Sequence, residues 1–161
     1  LAELTGESTN LTEPVDLEMI YVARFVAPKF IPIHLPIGSR IPMYCTASGR
    51  AYLSALSDEG VSEVLVASDL KRHTQHTLTR VDEIVSEIQT VRDKGYAVNL
   101  EELYLGDMTI AAPIINSQHK PVASVHVVAP TSRWTLEEAQ RRIAPAVIKC
   151  ARAISTSIRS L

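Results

Sequence analysis

Cysteine is nearly absent: Cys45 and Cys150 are the only two in 161 residues. Two cysteines without CxxC spacing give neither a zinc site nor a disulfide framework, and a reducing compartment is the simpler expectation. No apolar run approaches the roughly 18 residues a bilayer span needs, so no membrane partner is expected. An excess of basic charge is also missing. The formal net charge is −2 and the pI about 6.2, which speaks against this chain gripping phosphate backbones by itself. None of the hydrolase, kinase, phosphate-loop or dinucleotide motifs is present. There is no internal repeat and no low-complexity linker. The chain begins at Leu1 rather than Met, without a basic-then-apolar leader, so a piece of a longer protein is expected.

What is present is an ordinary globular composition, 46% hydrophobic and 21% charged, long enough for one domain with a real core. Leu1 to Leu4 reads as the tail of a preceding element, ended by Gly6. Strands are expected at 8–12 and 18–26, joined by a turn around Pro14 and Asp16. In the second, Met19, Tyr21, Ala23 and Phe25 alternate with Ile20, Val22, Arg24 and Val26. Only Arg24 breaks the second set, so cover on both faces is expected for most of its length. Residues 30–35 form a third candidate strand, whose prolines favour an edge.

A short helix is expected over 46–56. Ser57 resembles the N-cap of a second helix over 58–66, and 68–78 reads as a polar loop. Val81, Ile84, Val85, Ile88 and Val91 recur at helical spacing within 79–94, with Thr79 and Asp82 as a capping pair and Gly95 at the stop. A short strand at 96–100, an irregular connection at 101–108 and strands at 109–115 and 122–128 follow. Asn116 to His119 reads as the hairpin between the last two. Thr135 forms a capping box with Glu138, and a continuous apolar stripe runs from Leu136 to Leu161. Pro145 inside that helix should kink or divide it. Without regular βα alternation, the order points to an α+β domain with a largely antiparallel sheet.

The most informative stretch is Ile31 to Leu56. An apolar extended run stops at Thr46, Ala47, Ser48 and Gly49, which open a helix. Free backbone N–H groups and small side chains there suit a small anion such as a carboxylate, although ordinary capping explains most such starts. Cys45, just before that helix, invites a nucleophile reading against the commoner one of a core thiol. His73 and His76 with Asp69 invite a metal reading against solvated imidazoles, and no metal is assigned. His126 lies in an apolar strand, either as a satisfied core residue or pointing into a cavity. Glu101 and Glu102 are adjacent and point to opposite sides, so they form no dyad. With Asp107 they read mostly as a solvated loop. Arg141, Arg142, Lys149, Arg152 and Arg159 read as a solvated helix face.

Four segments in order resemble one family: 5–11, TGESTNL; 37–43, IGSRIPM, running into 47–53, ASGRAYL; 91–97, VRDKGYA; and 110–114, IAAPI. The chain resembles, over nearly its whole length, the C-terminal effector-binding domain of IclR-type bacterial transcriptional regulators. The resemblance implies a GAF- or profilin-like α+β fold, a curved six-stranded antiparallel sheet flanked by helices. It implies a single effector-binding domain over 1–161 that neither catalyses a reaction nor needs a cofactor. A winged helix-turn-helix domain would precede Leu1 and make the contact with DNA. Such regulators are cytoplasmic homodimers or homotetramers, repressors or activators, and answer to small organic acids. The effector-binding positions carried over are Ala47, Ser48, Asn99, Asp107, Thr109, His126 and Val128. The family often has an acid where Asn99 stands, and a Ser-x-Ser-Gly-Pro pattern where this chain has His126-Val127-Val128-Ala129-Pro130. His126 and Val128 make that wall larger and more apolar. The expectation is a bulkier acid than a two- or three-carbon keto acid, such as an aromatic carboxylate, with Met43 and Tyr44 as further apolar contacts. The alternatives are a Cys- or metal-dependent small-molecule enzyme, and a dimerisation domain with a vestigial pocket.

Overall fold

The computed structural model describes residues 1–28 and 35–159, the side chain of Arg159 excepted. A one-turn helix, α1 (Ala2–Thr5), precedes β1 (Thr9–Val15), β2 (Glu18–Phe25) and β3 (Arg40–Pro42). Three helices follow: α2 (Ala47–Ser54), α3 (Asp58–Ala67) and α4 (Val81–Lys94). Then come β4 (Ala97–Leu100), β5 (Met108–Ile115), β6 (Pro121–Val128), α5 (Leu136–Arg142) and α6 (Ala144–Arg159). The six strands form one sheet in the order β3-β2-β1-β6-β5-β4, every pairing antiparallel. No helix among the described residues is long and apolar enough to cross a membrane.

Strand alternation divides the interior into two cores. Ile110, Ala112, Ile114, Val125 and Val127 point to one face and pack under α5 and α6 through Ala139, Ile143, Val147 and Ala151. On the opposite face, Met19, Tyr21 and Ile41 meet Leu53, Val61, Leu65, Ile84 and Ile88 of α2, α3 and α4. There, Ala97 and Ala111 offer only methyl groups, and α2 rests on them through Ala47 and Ala51. Small residues on both sides bring the start of α2 close to the sheet.

Several expected local devices are present. Ser57 Oγ accepts from Gly60 N at 3.1 Å, Gly95 ends α4 with φ +82°, and Thr135 and Glu138 close a capping box. The hairpin after β5 is held by Asn116, whose side-chain oxygen accepts from Gln118 N and Lys120 N. The final helix is divided: Ile143 breaks it, and Pro145 falls in the first turn of α6, where its missing N–H costs no helical bond.

Other expectations are corrected. Thr79 does not cap α4: the N-cap position is Arg80, without a side-chain capping bond, and Asp82 is held by the Arg80 guanidinium at 2.7 Å. Of the candidate strand at 30–35, residues 30–34 lie outside the described residues. The strand pairing with β2 is β3, at Arg40–Pro42. Cover on both faces, expected for most of 18–26, gives out after Val22. Phe25 is 59% and Val26 49% exposed, because α6 packs over β5 and β6 and leaves the end of β2 bare.

One irregularity decides where a charge points. Leu11 pairs with Ala23, but Thr12 pairs with Tyr21, so Val22 is an extra residue in β2. Such a bulge shifts the alternation by one. Arg24, expected opposite Tyr21, joins it on the α2 side, while Ala23 and Phe25 turn to the other face.

Candidate ligand site

Between the start of α2 and the sheet lies a cavity of about 530 Å³ including its open mouth, with about 40 Å³ of room for the centres of water-sized molecules. The register explains its floor. Arg24 pairs with Asn10, Asn10 with His126, His126 with Ala111 and Ala111 with Ala97, a single row across five strands. Beside it runs a second row, Val128, Thr109 and Asn99. Helix α2 stops over these rows because Thr46 caps it. The Thr46 hydroxyl accepts from Gly49 N at 3.2 Å and donates to Pro42 O at 2.6 Å. Gly49 lies directly against Met43, where a Cβ would stand 2.3 Å from the Met43 Cα and carbonyl oxygen.

All seven positions expected from the sequence, Ala47, Ser48, Asn99, Asp107, Thr109, His126 and Val128, line this one cavity. Their chemistry differs. The Ser48 hydroxyl is buried with no partner. His126 is 1% exposed, and its Nε2 faces Asn10 Nδ2 at 3.2 Å and the Tyr21 hydroxyl at 3.3 Å. Its Nδ1 has no partner, nor does the Asn10 side-chain oxygen. Turning the Asn10 amide over exchanges which of its atoms meets the ring, and still leaves one atom of the amide and one of the imidazole unsatisfied. Burial, reinforced by the Arg24 cation, pushes His126 down to about 3, so the ring is neutral. Asp107 moves the other way. Burial raises its carboxyl to about 6, only partly offset by the Thr109 hydroxyl donating at 3.2 Å.

Asn99 lines the wall, yet its polar atoms are engaged within the protein. Its Nδ2 donates to Cys45 O at 2.7 Å and to Glu102 Oε1 at 3.2 Å, and its Oδ1 accepts from Glu102 N at 3.3 Å. Glu102 is therefore no solvated loop residue. It is 7% exposed and receives both ends of the buried Arg50 guanidinium, which also donates to Tyr44 O. The Thr77 hydroxyl and Leu78 N fasten the preceding loop to the same residue.

Asn10, Tyr21 and Arg24 line the cavity and were not among the sequence candidates. Apolar cover comes from Leu35, Ile41 and Leu103. Met43 and Tyr44 do not supply it: Met43 is core, and the Tyr44 hydroxyl donates to Lys71 O at 2.6 Å on the far side of the loop. Cys45 is fully buried and its thiol is pushed up to about 12, chiefly by burial, the opposite of what a nucleophilic thiolate requires. Among the described residues no cluster of three His, Cys, Asp or Glu side chains could hold a metal. His76 instead lies 3.6 Å from the Glu101 carboxylate.

Residues 1–156 match the family described as bacterial transcriptional regulator IclR C-terminal. The chain belongs to the IclR family. It is 32% identical over 153 residues to the Pca regulon regulatory protein of Pseudomonas putida, covering 94% of this chain and 53% of that protein. It is 29% identical over 157 residues to the transcriptional repressor IclR of Escherichia coli, covering 96% and 57%. A transcriptional regulator from Rhodococcus sp. RHA1 superposes with a TM-score of 0.94 at 30% identity, covering 99% of this chain and 64% of that one. The IclR-type chain thus spans a little over half the length of these curated relatives, which are regulators of transcription rather than enzymes.

Proposed function

We propose that this IclR-type domain is the effector-sensing part of a longer bacterial transcription regulator, with the cavity beneath α2 as its ligand site. Ala47, Ser48, Asp107, Thr109, His126 and Val128 face the ligand, and Asn99 fixes the wall behind them. A winged helix-turn-helix domain N-terminal to Leu1 carries the DNA contact, and a second copy of the chain completes a cytoplasmic dimer or tetramer. One observation carries the reading. Ser48, Asn10 and His126 are each at most 2% exposed, and each holds an unpartnered polar atom at the same cavity. Buried polar groups are rarely left so, and several together suit a polar ligand or the water it displaces. The high Cys45 pKa speaks against the thiol-enzyme alternative.

The effector is a small organic acid, bulkier than a two- or three-carbon keto acid. His126 and Val128 support this on the β6 wall, and Leu35, Ile41 and Leu103 add apolar cover. An aromatic body needs more room than three or so water centres, so the half-buried Leu103 and Tyr104 must swing outward on binding. A thermal-shift and calorimetric screen tests the proposal: a ligand at one hundred times its dissociation constant adds roughly 2.7 kcal/mol. Tight binding of glyoxylate or pyruvate with none of benzoate-like acids would sink the bulky-acid reading. A broad panel without any hit, beside ligand-independent DNA binding by the longer protein, would favour a vestigial pocket.

A further inference from the structure

The bulge in β2 brings a cation to the cavity that alternation would have sent to the opposite face. Its placement there is unusual in one respect. Arg24 Nε is buried without a partner, and among the described residues the guanidinium meets the Leu35 carbonyl, through Nη1, and the Tyr21 ring, 6.0 Å from its centroid. None of the ion pairs among the described residues involves Arg24. The contrast with Arg50 is direct. Arg50, more deeply buried at 1% exposure, has a carboxylate of its own in Glu102, the arrangement a buried guanidinium normally demands. Arg24, partly buried, lines the cavity with one donor left without a partner.

Among the described residues, the other charged residue of the lining is Asp107, just before β5. Strands β2 and β5 are three spacings apart in the sheet, about 14 Å at the backbone. The cavity therefore runs from a cationic end to an acidic end, with the neutral His126–Asn10 pair between them.

We propose that Arg24 is the specificity-determining anchor of this site and restricts it to monocarboxylates, bound with the carboxylate at β2 and a neutral body extending towards Asp107. This rests on the effector-sensing reading above and adds the anchor and the charge type. An arginine edge pairs with a carboxylate through parallel N–H···O bonds that a neutral amide cannot match. A second carboxylate at the far end of the ligand would meet Asp107 in a partly desolvated site, where like charges repel strongly. Uncharged analogues and dicarboxylates are thus both rejected, for different reasons at opposite ends.

Two sets of matched probes test this by calorimetry on the domain: butyrate, butyramide and glutarate; benzoate, benzamide and terephthalate. In the set that fits, the monocarboxylate should bind at least about tenfold more tightly than its amide and its diacid, the scale of hydrogen bonds to a charged group. Arg24→Gln should remove that preference by weakening the acid while leaving the amide unchanged. Arg24→Lys, which keeps the charge but not the fork, should retain the preference at reduced affinity and serves if Arg24→Gln fails to fold. Asp107→Asn should raise the affinity of the diacid. An amide or diacid that binds wild type as tightly as the acid overturns the anchor and leaves ligand sensing intact, as does undiminished acid binding by Arg24→Gln. Failure of all six probes to bind at millimolar concentration overturns the sensing reading and the anchor with it.

Discussion

The guanidinium of Arg50 and the carboxylate of Glu102, 52 residues apart in the chain, meet in two parallel hydrogen bonds of 2.5 and 2.8 Å with almost no exposure to solvent. The pair joins the second turn of the wall helix α2 to the loop after β4. Through Asn99, Thr77 and Leu78 it also fixes the loop between α3 and α4. The wall of the cavity is thus held from behind by charges that do not face the ligand.

Removing one partner should be far worse than removing both. Glu102→Gln leaves Arg50 charged, buried and without a carboxylate, a situation that costs about 3–5 kcal/mol. The double replacement Arg50→Met with Glu102→Met should cost less than either single change, because no uncompensated charge remains. Urea unfolding midpoints of Glu102→Gln, Arg50→Met and the double variant decide this. A double variant weaker than the sum of the singles would mean that the pair does not act as a unit.

How much of this was legible beforehand depends on the range of the interaction. The Thr135 box, the Ser57 cap, the Gly95 stop and the break near Pro145 each depend on residues within one or two turns, and each is present as read. Family resemblance gives the seven lining positions; the register of β4, β5 and β6 sets four of them on one face, and the start of α2 and the loop before β5 bring the other three to the same cavity. Alternation sends Arg24 to the wrong face because period two assumes an unbroken ladder, and nothing around Val22 announces an extra residue. Glu102 reads as solvated because a charged residue in a polar segment normally is. Its partner stands on another element, outside the reach of any local pattern.

Two glycines should respond oppositely to alanine. At Gly49 the new methyl would stand 2.3 Å from the Met43 backbone, so α2 or the segment before it must move. Gly49→Ala should cost several kcal/mol and displace the cavity wall. At Gly60, in the first turn of α3, the nearest atoms lie at 3.4 Å and the methyl fits. Gly60→Ala should be neutral or stabilise by up to about 1 kcal/mol through helix propensity. Thermal unfolding distinguishes the two, and equal effects would contradict the close approach at Met43.

Ser48 offers a test of the ligand site that is separable from folding. Its hydroxyl has no partner, so Ser48→Ala should alter stability by no more than about 0.5–1 kcal/mol, in the stabilising direction. Ser48→Leu extends a branched side chain into the cavity and should abolish ligand-induced stabilisation while the domain remains folded. Circular dichroism and thermal shift with and without ligand read both effects. Global unfolding of Ser48→Leu would show that the position is packed core.

The two titrating residues of the cavity should impose opposite pH dependences on stability. His126 faces Asn10, Tyr21 and Arg24 and stays neutral in the fold down to about 3, whereas the unfolded chain takes up a proton near the ordinary histidine value of 6.5. Its contribution is complete above that value and is lost as pH falls towards 3. Asp107 faces Thr109 and lies within electrostatic reach of Tyr21 and Tyr104; its carboxyl is raised from 3.8 to about 6. The fold therefore retains a proton that the unfolded chain releases. That contribution is complete below 3.8 and is lost as pH rises through 6. Between these limits the terms oppose each other and flatten the wild-type profile. Asp107→Asn should remove the rising-pH loss, gain roughly 2–3 kcal/mol at neutral pH and expose the acid-side fall due to His126. His126→Gln should do the reverse and leave a domain whose stability declines from about pH 4 to pH 7. Unfolding midpoints across that range for the wild type and both variants read the sign directly. An Asp107→Asn profile parallel to wild type would show that the carboxyl is solvated, and that the cavity does not have the acidic end assigned to it.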